Sequence, residues 1–464
     1  MKNLLPLTKG KVNSEKFASA IMNYNMKNKI MILGAMLLLV LVTSCREESD
    51  ALQNYAFNDG LAFDKAQKSY AGKFKVLWKA LDQNYGIWDY ERSQGVDWDA
   101  VYDEYLPKYE ALDKRDDVTD DELQKLLEAT LAPLHDGHFA AQMENHQTGN
   151  FVVTVPSNTR TKERDDFEAM KNTTHNLSAY LPAAFGGTGN QILDYKEADT
   201  HIAEMGEYGI TVKYALFKDN IAYFYFSGFY LTLYLNDEKY QKIFGKANAA
   251  TQQLALAVRQ AWQAWFDKVQ ELHASGQLKG VVIDLRNNGG GMLDDNQYVL
   301  GSMLPSGGFE VAFSRFKRGV GRYDYSPLSP FKVPTLETAH ETITEPIVVL
   351  TNCGSVSMAE ITSLGCQSLP NGTLIGKRTH GGLCSLITNP GVYYQNYSGI
   401  IGEMNKTPIY LYIPHMTTIS KEGKLFEGVG LTPDIEVDLD VTQYQATGRD
   451  TQLERALQFC TTGN

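Results

Sequence analysis

The sequence predicts a layered α/β domain preceded by a small helical one, and three observations carry that expectation. Between about residues 74 and 143 apolar residues recur at helical spacing. From about Tyr208 onward short, continuously apolar runs alternate with helical stretches, the pattern of strands buried on both faces. With 43% hydrophobic and 21% charged residues, and 26 Tyr and 20 Phe, the chain has ample material for such cores.

In the helical part, Thr119-Asp120-Asp121-Glu122 has the T-x-x-E form of a capping box. Leu123, Leu126, Leu127, Thr130, Leu131 and Leu134 then form one apolar stripe. Phe74–Trp78 and Val96–Asp99 sit in two further helical stretches, so residues 73–145 are expected to form a helical N-terminal domain. Residues 146–207 read as a strand-rich insert or a long loop region, with Gly186-Gly187-Thr188-Gly189 as a breaker cluster. Within 208–445, Asn220–Phe226, Gly280–Leu285, Pro346–Leu350, Gly372–Gly376 and Pro408–Ile413 are expected strands, and Ala247–Leu272 a long helix. Buried strands interleaved with helices imply layered α/β architecture. Residues 446–464 are expected to end the chain in a helix.

The first 45 residues read differently. Ile30–Val42 is a thirteen-residue apolar run behind Lys27 and Lys29, too short for a membrane span, which needs about 20 residues. Basic flank, short apolar run and small residues describe an export signal. Val42-Thr43-Ser44-Cys45 further resembles the lipobox of bacterial lipoproteins, implying that Cys45 is lipidated, with Met26 an alternative start. Residues 46–72 would be a tether opening on the acidic Arg46-Glu47-Glu48-Ser49-Asp50, and the expected location is the cell envelope, as an outer-membrane lipoprotein facing the periplasm or the cell surface. A net charge of −12 without a Lys/Arg block argues against nucleic-acid binding. Cys353, Cys366, Cys384 and Cys460 lack the spacing of a zinc or redox site and read as buried thiols, with one bridged pair left open.

Three loops could carry chemistry. Asp284-Leu285-Arg286-Asn287-Asn288-Gly289-Gly290-Gly291 places three glycines after a buried strand, and their N–H groups suit an oxyanion hole or only a flexible turn. Thr351–Glu360 leads from a strand into a helix with Ser357 at its start, where free N–H groups favour negative charge. Ser357-Met358-Ala359-Glu360 is equally a capping box that needs no catalysis, and it is not a G-x-S-x-G elbow. Leu134-His135-Asp136-Gly137-His138 offers two histidines, either of which could be structural.

Jointly, D-L-R-N-N-G-G-G, S-V-S-M-A-E, I-G-K-R-T-H-G-G and Glu427-Gly428-Val429-Gly430-Leu431-Thr432-Pro433-Asp434 occur in the order seen in tail-specific (C-terminal processing) serine proteases, a family this sequence resembles over roughly residues 208–440. The resemblance implies a crotonase-like (ClpP/crotonase) catalytic fold, peptide or protein substrates, no metal or organic cofactor, and Ser357 as nucleophile. The main branch pairs that serine with a lysine 25 residues later, but here the position is Gly382, and Lys377 falls outside the dyad. The chain instead resembles the branch of the Tricorn core protease and the retinoid-binding protein of the retina, whose helical domain ends in a D-G-H-type motif. That implies His138 as general base, ahead of His135, His380 and His415, with Glu427 orienting it and the N–H groups of Met358 and of Gly290 or Gly291 as oxyanion donors. Two other classes share the fold: a non-catalytic protein binding an apolar molecule or peptide, and an acyl-transforming enzyme of the crotonase type that would not need Ser357. The sequence leaves the oligomeric state open.

Overall fold

The computed structural model describes residues 68–173, 175–177, 192–317, 321–384 and 399–463. The export signal, Cys45, the tether up to residue 67 and the Gly186–Gly189 cluster lie outside the described residues. The described helices are α1 (Tyr70–Asn84), α2 (Trp88–Ser93), α3 (Trp98–Leu112), α4 (Asp120–Leu131), α5 (Pro156–Lys162), α6 (Phe167–Asn172), α7 (Leu231–Leu235), α8 (Asp237–Phe244), α9 (Ala249–Ala274), α10 (Met358–Gln367), α11 (Val441–Thr447) and α12 (Thr451–Thr462). None of them is long and apolar enough to cross a membrane. Local chemistry sets their starts: the side chains of Ser69, Asp97, Thr119, Asn248 and Asp450 each accept a first-turn N–H of α1, α3, α4, α9 and α12.

Seven strands form the main sheet: β3 (Ile192–Asp199), β4 (Thr211–Phe217), β5 (Ile221–Phe226), β6 (Gly280–Asp284), β9 (Ile347–Thr351), β10 (Gly372–Gly376) and β14 (Ile435–Glu436), in the order β14-β10-β9-β6-β5-β4-β3. From β14 to β5 neighbours run parallel, and β4 and β3 add an antiparallel edge. Alternation along each strand builds two cores. Ala222, Phe224 and Phe226 of β5, with Val281, Ile283, Ile347 and Val349, face α9 and α10 through Trp265, Val258 and Ile361. Their alternate neighbours Tyr223, Val282, Val348 and Leu350 face α12 through Leu453, Ala456 and Leu457. The mixed α/β expectation holds, with helices covering both faces of a largely parallel sheet.

Two smaller sheets complete the molecule. One is all antiparallel, in the order β11 (Ile400–Ile401), β12 (Ile409–Tyr412), β1 (Ala140–Asn145), β2 (Asn150–Thr154). The other pairs β13 (Met416–Ile419), β7 (Phe309–Phe316) and β8 (Ser329–Val333).

The structure differs from the sequence reading at one strand. The Pro408–Ile413 strand exists as β12 but pairs antiparallel with β1, outside the parallel sheet. Consequently the helical segment is not closed off at residue 145: Leu77, Leu81, Leu127 and Leu131 bury against Phe139, Ala141, Ile409, Leu411 and Ile413. A helix stripe needs a facing layer, and a layer of two short strands is completed here from the far end of the chain. Residues 146–207, left open between a strand-rich insert and a long loop region, contribute the strands β2 and β3 and the short helices α5 and α6.

Candidate active site

The parallel strands β6 and β9 lie side by side, so the loops leaving their C-terminal ends meet. Four bonds tie them: the Ser355 hydroxyl donates to the Leu285 carbonyl at 2.7 Å, the Val356 N–H to the Asn288 carbonyl at 2.9 Å, the Asn287 N–H to Asn352 Oδ1 at 3.0 Å and Asn352 Nδ2 to Asn287 Oδ1 at 3.0 Å. Between Val356 and α10 sits Ser357 with φ 58° and ψ −116°, a conformation that costs an L-residue about 1–3 kcal/mol. Room for it comes from the other loop, because a Cβ on Gly290 would fall 2.6 Å from Ser357 Cβ and 2.9 Å from the Met358 nitrogen.

The capping-box arrangement is present, with the Ser357 side chain turned toward the Glu360 N–H and the Glu360 carboxylate toward the Ser357 N–H, so the start of α10 is compatible with a structural cap as well as with a nucleophile. Glu360 Oε2 accepts the Ser357 N–H at 3.1 Å, and the Glu360 N–H donates to the Ser357 carbonyl. Buried Glu360 also accepts from the Thr379 hydroxyl (2.6 Å) and the N–H groups of Gly381 (2.7 Å) and Gly382 (2.6 Å). Burial pushes its carboxyl up to about 7 against these donors. Three backbone N–H groups and the Thr379 hydroxyl converge on its two oxygens, which favours the carboxylate against that burial.

Of the expected oxyanion donors, Gly290 is a correction. Its N–H is spent on Asn288 Oδ1 at 2.9 Å, because the Asn288 side chain turns back on its own loop. The Gly291 N–H has no acceptor among the described residues, and Met358 opens α10, where a first-turn N–H has no intrahelical acceptor.

The D-G-H segment reaches the same place from the helical part. The His138 side chain is 7% exposed, and neither ring nitrogen has a hydrogen-bond partner. Nδ1 lies 3.6 Å from Glu427 Oε1, an ion-pair distance rather than a hydrogen bond. Burial alone would lower the imidazole pKa, but the Glu427 carboxylate outweighs it and holds it above the ordinary value. Glu427, fully buried, accepts the N–H groups of Gly137 (2.9 Å) and Cys384 (2.6 Å). Burial would raise its carboxyl, yet His138 and these donors hold it below the usual carboxylate range. Gly382 forms the wall: a Cβ there would lie 3.3 Å from His138 Cε1 and 3.4 Å from Val356 Cγ1, so the imidazole and the residue before Ser357 face each other across it.

The other histidines are occupied. His135 pairs with Glu91 at 2.8 Å, His380 sits between Thr161 and the Gly137 carbonyl, and burial pushes His415 down to about 4. Lys377 points away, ion-paired to Glu436 and Asp438. All four described cysteines are buried and free, so no pair is bridged. Among the described residues no group of three or more His, Cys, Asp or Glu is arranged to hold a metal ion.

Sequence reasoning missed the fastening of the site from residues 156–172. Arg160 donates to the Leu134 and Asp136 carbonyls, and Arg164 to the Arg378 and Thr379 carbonyls at 2.6 Å each. Guanidinium bonds to carbonyls have no sequence pattern, so nothing in the chain advertised them.

Residues 250–437 match peptidase family S41, and residues 66–126 match the Tricorn protease C1 domain. The chain carries a peptidase family S41 domain. Both loops leaving β6 and β9, and Glu427, lie inside that S41 stretch, whereas His138 lies outside both matched stretches. A carboxy-terminal-processing protease of Bartonella bacilliformis is 31% identical over 177 residues, 38% of this chain and 35% of that protein. The Tricorn protease of Thermoplasma volcanium is 26% identical over 180 residues, 39% of this chain and 14% of its own. The chain thus matches about a third or less of either relative's length. A candidate peptidase from Parabacteroides merdae shares the fold with a TM-score of 0.53 at 20% identity, covering 85% of this chain and 98% of its own. Mature CPAF does so with a TM-score of 0.52 at 10% identity, covering 86% and 97%.

Proposed function

We propose that the protein is a serine peptidase with a crotonase-like catalytic layer, hydrolysing peptide bonds through an acyl-enzyme on Ser357. The observation that carries this reading is the strained Ser357 at the start of α10, beside the N–H groups of Met358 and Gly291, which have no acceptor among the described residues. His138 would take the Ser357 proton on Nε2 as Oγ attacks the scissile carbonyl, with Glu427 stabilising the imidazolium. The carbonyl oxygen, now negative, would be held by the Met358 and Gly291 N–H groups. The imidazolium then returns its proton to the leaving amine, and water attacks the ester by the same route in reverse. Gly382 supports a histidine over a lysine base, since His138 fills the space a side chain there would need. We place the enzyme in the cell envelope, anchored through lipidated Cys45.

A fluorophosphonate probe tests the chemistry. Labelling of the wild type that disappears in Ser357→Ala is expected. Equal labelling of both, or peptide turnover surviving in Ser357→Ala, would remove Ser357 as nucleophile. For the anchor, radiolabelled palmitate should enter the wild type and not Cys45→Ala, and equal incorporation would sink it.

A further inference from the structure

Behind His138 lie two more buried carboxyl groups that the proposed mechanism does not use. The Tyr85 hydroxyl sits 2.7 Å from Glu91 Oε1 and 2.5 Å from Asp136 Oδ2, and Tyr85, Glu91 and Asp136 are all within the core. A phenol carries one proton, and an ionised carboxylate can only accept. Two carboxylates therefore cannot both be satisfied by Tyr85, and two oxygens 2.5 Å apart with no proton between them repel. One carboxyl must bring a second proton.

Which one follows from the partners. Glu91 faces the His135 N–H at 2.7 Å and His135 Nδ1 at 2.8 Å, and it holds the His135 imidazole above its ordinary pKa, the signature of an ion pair. Asp136 has no such partner: Oδ1 accepts only the His138 N–H at 3.0 Å, and Arg160 binds the Asp136 carbonyl, not its carboxyl. The Glu427 charge also disfavours ionisation of Asp136. We propose that Asp136 is a neutral carboxylic acid, donating through Oδ2 to the Tyr85 oxygen while Tyr85 donates to Glu91, and that it serves as a positioning residue for His138. Burial and the Glu427 charge push its carboxyl up to about 7, in keeping with that arrangement. The consequence for the site is that Glu427 is the one anion at Nδ1, while Asp136 fixes the His138 backbone without adding charge. The role at His138 rests on the proposed peptidase reading; the protonation itself does not.

The two parts are tested separately. In Ser357→Ala protein, infrared spectra are compared with and without Asp136→Asn at pH 6. A carboxylic-acid carbonyl stretch that vanishes with the second substitution is expected, and its absence overturns the protonation whatever the enzyme does. In the active enzyme, Asn is the neutral mimic, donating to Tyr85 and accepting the His138 N–H. Asp136→Asn should keep kcat/KM within about threefold below neutral pH with its acid limb unmoved, and Asp136→Ala should lose about tenfold or more by stranding both partners. An Asp136→Asn enzyme as weak as Asp136→Ala, with its acid limb moved to lower pH, would show that the anion is required and overturn the positioning role.

Discussion

At Ser357, function and backbone strain are separable. Ser357→Ala keeps the φ of 58° and loses the hydroxyl, so hydrolysis should fall by on the order of a thousandfold or more with little change in Tm. Ser357→Gly is equally inactive but relieves the conformation, and should be more stable than the alanine variant by about 1 kcal/mol, readable by thermal melts. A glycine variant less stable than the alanine one would mean that the serine is not strained. In the proposed mechanism Glu427 sets the pKa of His138. Because its carboxylate raises the His138 pKa, activity should disappear as pH falls through a value above the histidine reference of about 6.5. Glu427→Gln removes the charge that favours imidazolium, so the acid limb of kcat/KM should move to lower pH while kcat drops. An unmoved limb would detach Glu427 from His138. The motifs around Ser357, His138 and Glu427 were legible as short segments, and the structure sets His138 and the residue before Ser357 on either side of Gly382, with Glu427 Oε1 3.6 Å from His138 Nδ1. The spending of the Gly290 N–H on Asn288 was not legible, since a side-chain turn within a loop leaves no periodic trace.

The loops after β6 and β9 act as one element, held together by Ser355, Asn288 and the absence of a side chain on Gly290. Gly290→Ala should force them apart, since its Cβ would meet Ser357 Cβ at 2.6 Å and its φ is 85°. Phosphonate labelling should fall at least about tenfold, with thermal stability reduced by about 1–3 kcal/mol, the usual cost of overpacking. A fully reactive Gly290→Ala would mean that the loops are not mutually fitted. The strands on either side were readable from continuous apolar runs at 280–285 and 346–350. Residues 156–172 were not, because α5 and α6 are short and the bonds that Arg160 and Arg164 make to distant carbonyls follow no periodicity.

Over the whole molecule, the helical part and the sheet domain share a covering layer instead of a linker. Leu411 lies wholly buried in the core of α1 and α4 although it belongs to the distal half of the chain. Leu411→Ala should therefore cost about 2–5 kcal/mol and lower a single, joint unfolding transition. Two separated transitions, with only one displaced, would make the halves independent. A sequence read segment by segment places β12 with its chain neighbours, and only the β1–β12 pairing reveals where it belongs.

That pairing also sets an order in time. The chain emerges from its N-terminus, so His138 is synthesised long before β12 and Glu427. Until those arrive, the first helices have no lid over their apolar side and the imidazole has no anion. The growing polypeptide consequently meets its neighbours without a completed site. A version stopped after residue 398 is expected to be digested by added trypsin at doses that leave the full chain whole, and to take up no phosphonate. Labelling of that shortened chain would show that the site is complete without β12 and Glu427.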